Sequence, residues 1–155
     1  MPIDTENPGY RALRAGRVSL HGQIYLVTTT TFERQARFKD ADTASLLCRY
    51  LHLPGSFLDA KLLAWVLMPD HWHGLIELQQ SSLPSVMRRF KSATARQINR
   101  QRGQQGRLWA SGFHDHALRA EEALLGCARY LVLNPVRAGL VKRIGDYPYW
   151  NAIWL

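Results

Sequence analysis

The 155-residue sequence predicts an α+β fold of the ferredoxin-like, RRM-type split βαβ class. This is a four-stranded antiparallel sheet with helices on one face and a further helix appended at the C-terminal end. Three observations lead there. β-branched and apolar runs alternate with amphipathic stretches in the order strand, helix, strand, strand, helix, strand. The length suits one domain, and no solenoid-type repeat or long low-complexity tract interrupts it. Hydrophobic residues at 46% against charged residues at 21% describe a chain able to bury a core, which argues against disorder.

The elements follow in order. A polar, basic entry with Arg11, Arg14 and Arg17 is read as an N-terminal arm over residues 1–20, and residues 21–155 as a single domain. Ile24 to Phe32, β-branched and aromatic, predicts the first strand. Asp42 is the expected cap of a helix carrying Leu46, Leu47, Tyr50 and Leu51, stopped by Pro54 and Gly55. Phe57 to Met68 and His71 to Leu78 predict a hairpin turning at Pro69 and Asp70. Pro84 and Ser85 open a second helix that runs to about Arg102 and ends at the loop between Gly103 and Gly106. Leu108 to Leu118 predicts the fourth strand. A third helix follows, with Glu121 and Glu122 in its first turn, where carboxylates suit the helix dipole, and with Pro135 limiting its length.

The charge pattern narrows the function. Twenty Lys and Arg against twelve Asp and Glu leave a net charge of +8, which points to a polyanionic partner. No run approaches the roughly 18 apolar residues of a membrane span, and Met-Pro-Ile-Asp-Thr-Glu is no signal peptide, so a cytoplasmic protein without a membrane partner is expected. Cys48 and Cys127 lack C-x-x-C spacing and read as small core side chains. Between Glu77 and Asp115 there is no acidic residue, whereas Arg88, Arg89, Lys91, Arg96, Arg100, Arg102 and Arg107 all fall there. On the second helix Arg89, Arg96 and Arg100 lie within about 40° of one another, opposite Val86, Met87, Phe90 and Ile98. With Arg11, Arg14, Arg17, Arg88 and Lys91, they are the candidate contacts to a nucleic-acid backbone.

Candidate chemistry begins on the third strand. Alternation puts His71, His73, Leu75 and Glu77 on one face and Trp72, Gly74, Ile76 and Leu78 on the other, expected to be the core face. Two imidazoles about 7 Å apart along a strand can converge on one divalent cation. The bland reading is two polar residues on a wet face. A second H-x-H pair, His114 and His116, shares a face of the fourth strand, so either pair or neither is the metal site on spacing alone. On the third helix Leu124, Cys127, Ala128 and Leu131 form an apolar stripe, and Tyr130 lies at its border, about 110° from its centre. Asn134 follows one turn on, with a side-chain oxygen suited to Mg²⁺ or Mn²⁺.

Taken together, M-P-D-H-W-H-G-L-I-E-L at 68–78, L-W-A-S-G-F-H-D-H-A-L-R at 108–119 and Y-L-V-L-N-P-V-R-A-G-L-V at 130–141 resemble the REP-associated tyrosine transposases. These are relatives of the single-strand insertion-sequence transposases of the HUH class. The N-terminal Y-R-A-L-R-A-G-R-V and H-G-Q-I-Y-L-V-T-T-T add to a resemblance spanning roughly Tyr10 to Tyr147. It implies that the appended helix is catalytic, with Tyr130 as nucleophile, and that His71, His73 and Asn134 ligate Mg²⁺ or Mn²⁺. Asn134 stands where relatives often carry Gln, and His114 and His116 match no family ligand. The implied activity is a metal-dependent single-stranded DNA endonuclease and strand transferase working through a 5′-phosphotyrosine. The implied substrate is single-stranded DNA with a hairpin, a REP-like palindrome. Nothing in the sequence decides between monomer and homodimer. The rival readings are a non-catalytic nucleic-acid-binding module on the same fold and a phosphodiesterase using both H-x-H pairs. The last is disfavoured because no hydroxyl residue follows the histidines.

Overall fold

The computed structural model describes residues 22–57, 59–119 and 124–154. Strand β1 (Ile24–Thr30) leads through two single-turn 3₁₀ segments to helix α1 (Ala41–His52). Strands β2 (Ala60–Met68) and β3 (His71–Leu78) precede helix α2 (Leu83–Arg102) and strand β4 (His114–Ala117). Helix α3 (Leu124–Val132), the one-turn helix α4 (Asn134–Arg137) and strand β5 (Trp150–Ala152) complete the chain. The sheet is antiparallel with order β4-β1-β3-β2-β5, so β3 lies at its centre. The expected class is present with one strand more, β5 closing the free edge of β2. Among the described residues no helix is long and apolar enough to cross a membrane.

Local chemistry accounts for the boundaries. The β2–β3 hairpin turns on Pro69 and Asp70, and β3 has the bounds its alternation predicts. The cap of α1 is Asp40 rather than Asp42. Its carboxylate accepts from the Thr43 amide at 3.1 Å and hydroxyl at 2.7 Å, while Asp42 sits in the first turn beyond it. Helix α2 is capped by Ser82 and ends at Gly103, whose φ of 61° is the left-handed conformation glycine adopts without strain. β2 begins at Ala60 rather than Phe57. β4 is shorter than the expected 108–118 strand, because Leu108, Trp109 and Phe113 plug the core instead of extending the ladder.

Helices cover both faces of the sheet. On one, α1 and α2 pack Leu47, Met87, Phe90 and Ile98 against Val27, Trp65, Leu67, Trp72 and Ile76. On the other, α3 lays Ala128 and Leu131 on Leu63, Val66, Met68 and Leu75, with Tyr147 beside them. The histidine face of β3 is therefore partly roofed, against the bland reading of two polar residues on a wet face. Burial of apolar side chains at about 25 cal/mol per Å² makes each layer a substantial stabilising term. Cys48 and Cys127 are half-buried rather than fully interior and form no disulfide among the described residues, and burial pushes the Cys48 thiol up to about 12. The basic arm, Glu121 and Glu122 lie outside the described residues.

Candidate functional site

The site starts from the register of the central strand. Paired residues of adjacent strands project to the same side, so Val66, His73, Thr28 and His114 form one row across four strands, and Met68, His71 and Thr30 the next. Within this frame the His71 and His73 rings meet edge to face, centroids 4.6 Å apart. Each is anchored through Nδ1: His71 at 2.7 Å from Asp70 Oδ1, and His73 at 2.7 Å from Thr28 Oγ1. With Nδ1–H donating to those oxygens, each ring offers its Nε2 lone pair, the arrangement in which an outer partner fixes a metal-binding tautomer.

Electrostatics favour the same state. Burial foremost, then the charges of His71 and Arg137, pushes His73 down to about 3, so its imidazole is neutral at physiological pH, as a metal ligand must be. Burial works to raise the Asp70 carboxyl, but the His71 hydrogen bond and the charges of His71 and Arg34 outweigh it and hold the group below its ordinary value. Arg34 Nε donates to Asp70 at 3.1 Å. Asp70 is thus an anion bracing His71 from the turn. Its role was missed in the sequence because Asp after Pro reads as a turn residue.

Tyr130 and Asn134 come from the C-terminal helices on the same side of the sheet. The helix breaks at Leu133, and Pro135, buried, starts the next turn, so Asn134 opens α4 instead of continuing α3. Asn134 is half-buried and its Nδ2 donates to Leu131 O at 3.3 Å, which orients the amide and leaves its oxygen to act as an acceptor. Among the described residues no group of three His, Cys, Asp or Glu side chains could hold a metal ion. Asn134, with an uncharged amide oxygen, opens α4 directly after the helix that packs over the histidine face. Imidazole nitrogens and an amide oxygen are donor types that suit a divalent cation.

Tyr130 is 64% exposed, so its hydroxyl is not sealed in the interior. Arg137 covers its ring, Cζ 3.6 Å from the centroid, and the same guanidinium is close enough to His73 to act on its proton affinity. Arg137 thereby links the tyrosine to the histidine strand. Sequence reasoning passed over it, because it meets Tyr130 across the break between α3 and α4.

The remaining candidates are spread more widely. His114 and His116 are exposed on edge strand β4, on the same face as the first pair but two strands from it. Arg88, Arg89 and Arg96, with Tyr50 and Ser92, line a groove of about 400 Å³ between α1 and α2, on the opposite face of the sheet. Arg100 is exposed further along α2. Lys91 is held apart from them, its ammonium donating to the carbonyls of Ala110 and Gly112 at 2.6 Å each. Arg11, Arg14 and Arg17 lie outside the described residues.

Comparison with known proteins converges on one group. The family described as "Transposase IS200 like" matches residues 19–123, a span that includes both histidine pairs and stops short of Tyr130. The REP-associated tyrosine transposase of Escherichia coli is 30% identical over 88 residues, 56% of this chain and 50% of that protein. A Haemophilus influenzae protein provisionally named in the same way is 29% identical over 94 residues, 54% of this chain and 53% of that one. The chain thus spans about half the length of these relatives. A solved REP-associated tyrosine transposase bound to a REP hairpin superposes with a TM-score of 0.66 at 22% identity, over 86% of this chain and 79% of that one, which supports the fold.

Proposed function

Since the chain belongs to the IS200-like transposase family, we propose that it cuts and rejoins single-stranded DNA at hairpin-bearing, REP-like sequences, with Tyr130 as nucleophile. The observation that carries this reading is the pair of anchored, edge-to-face imidazoles on the central strand, joined through Arg137 to an exposed tyrosine. His71, His73 and the Asn134 oxygen would hold Mg²⁺ or Mn²⁺. When bound, such an ion polarises a phosphodiester and stabilises charge developing on its oxygens.

The phenol oxygen of Tyr130 attacks phosphorus and loses its proton. The bond to the 3′ oxygen breaks, and that oxygen leaves as a 3′-hydroxyl on taking up a proton. The product is a 5′-phosphotyrosine; attack on it by another 3′-hydroxyl restores a phosphodiester and the phenol without an external energy source. Asp70 and Thr28 hold the two imidazoles in orientation, and burial foremost keeps His73 neutral. The groove of Arg88, Arg89 and Arg96, with Arg100 beyond it, supplies cations for the DNA backbone. Because it lies across the sheet from Tyr130, DNA that reaches both passes around an edge of the sheet. A hairpin as substrate is supported by the relative solved in complex with one.

The test is incubation with labelled single-stranded hairpin DNA and Mg²⁺ or Mn²⁺, followed by denaturing electrophoresis. A covalent adduct is expected that disappears in Tyr130→Phe and with chelator. His71→Ala and His73→Ala are expected to abolish it, and His114→Ala and His116→Ala to keep much of it. Tight binding with no adduct on any palindromic substrate would leave the non-catalytic binding module as the correct reading.

A further inference from the structure

We infer that Arg137 contacts the substrate: it stacks on the Tyr130 ring through its face and binds the non-bridging oxygens of the scissile phosphodiester through its edge. The inference rests on Tyr130 being the nucleophile, and it gives the site a phosphate-binding group beyond the metal ligands.

The first observation is that, among the described residues, this guanidinium has no carboxylate partner. Three arginines of the fold are matched with carboxylates: Arg34 with Asp70 at 3.1 Å, Arg102 with Asp40 at 3.1 Å, and Arg143 with Asp146 at 3.5 Å. Arg137 is exposed and, among the described residues, makes no ion pair; its side chain rests on the aromatic ring beneath it. A cation–π contact uses the flat face of the guanidinium and leaves the in-plane N–H groups at its edge, the fork that matches two phosphate oxygens. Stacking and phosphate binding are therefore compatible in one rotamer.

The second observation is placement. Arg137 is three residues from Asn134 on the same helical turn, so the two side chains lie on one side of α4. The turn is fastened by the buried Pro135 and by the Arg137 and Ala138 amides, which donate to Leu133 O at 3.0 Å and Asn134 O at 2.8 Å. Arg137 thus stands among the attacking residue, the amide ligand and the His73 strand, where a phosphate approached by Tyr130 must lie. A cation there costs repulsion against a metal ion, a cost that an anionic substrate between them removes. Lysine would keep the charge without the planar fork or the stack.

The experiment is a binding cycle in the Tyr130→Phe protein, which keeps the ring and cannot cleave, using hairpin DNA with either a normal scissile phosphodiester or a neutral methylphosphonate there. With Arg137 present, neutralising that one phosphate is expected to weaken binding about tenfold, the scale of a charge-assisted hydrogen bond. With Arg137→Ala the same neutralisation is expected to change binding less than about twofold, and Arg137→Lys should fall between. Equal sensitivity to the methylphosphonate in all three proteins overturns the phosphate contact and leaves Arg137 a mere support for the ring. In a parallel lane with tyrosine retained, Arg137→Ala should form adduct 10- to 100-fold more slowly than wild type on the normal DNA. An unchanged rate there would also refute the inference. Absence of adduct from wild type would instead refute the nuclease reading, while the binding cycle still reports on Arg137 and the phosphate.

Discussion

Gly74→Ala is expected to destabilise the protein through one neighbour, and a second substitution should undo much of the damage. Gly74 lies two residues from Trp72 on the same face of β3, and the indole folds across its backbone. A Cβ at 74 would stand 2.8 Å from both Cζ2 and Cζ3 of that ring, and closer still to Cη2. The indole cannot step aside. It is fully buried, its ring centroid 4.6 Å from that of Phe90 and 6.1 Å from that of Phe57. Overpacking of this kind costs about 3 kcal/mol, and alanine recovers about 0.7 kcal/mol by restricting the unfolded chain, for a net loss of about 2 kcal/mol. Trp72→Phe removes the outer ring that Gly74 accommodates and costs about 1–2 kcal/mol alone. Independent effects would sum to about 3–4 kcal/mol. Because the new methyl group fills the space the indole vacates, the double variant should lose only about 1–2 kcal/mol, a coupling of at least about 1.5 kcal/mol. Equilibrium urea unfolding of the four proteins measures each quantity. A Gly74→Ala protein within about 0.5 kcal/mol of wild type, or strict additivity in the double variant, would refute the reasoning.

Two further outcomes follow from buried polar groups. In chelator, stability should fall as pH drops from 6.5 toward 3, because unfolded His73 takes up a proton below its ordinary value while the folded residue stays neutral to about 3. The slope attributable to it is about 1.4 kcal/mol per pH unit, read as the difference between wild type and His73→Asn in urea titrations at several pH values; parallel profiles would contradict it. Thr94→Val should lower stability by about 2 kcal/mol, seen as a melting temperature about 4–8 °C lower, because Trp109 Nε1 donates to Thr94 Oγ1 at 2.9 Å in the core. Thr94→Ser, which restores the acceptor, should recover most of that, and a valine variant that melts like wild type would show the bond to be dispensable.

The parts of the fold that were legible in the sequence are those with strong local rules. Strict alternation and a proline turn defined β3 completely, and a glycine stop defined the end of α2, whose start at Leu83 on the cap Ser82 falls just before the expected Pro84. The cap of α1 was misplaced by two residues because Asp40 and Asp42 are equally good on paper, and only the Thr43 hydroxyl, reaching back, selects the first. β5 has three residues, too few for a periodic pattern, and exists because β2 offers it an edge. The roof over the histidine face was invisible for a different reason. The apolar stripe of α3 reveals that the helix packs but not on which side of the sheet, a matter of connection and handedness rather than composition. The site shows the same division. His71 and His73 follow from strand period, whereas Asp70, Thr28 and Arg137 enter through strand pairing and a helix break that bring distant residues together.

The strand bearing the two imidazoles is laddered along its length to β1 on one side and β2 on the other. Amides so enclosed exchange with solvent only through the rarest openings of a molecule, while a short helical end seated on one layer breathes far more often. The two halves of this centre therefore have different lifetimes. Under the proposed function, the imidazole half would endure while the half carrying the phenol lifts and reseats, so that DNA could enter and leave without disturbing the two histidines.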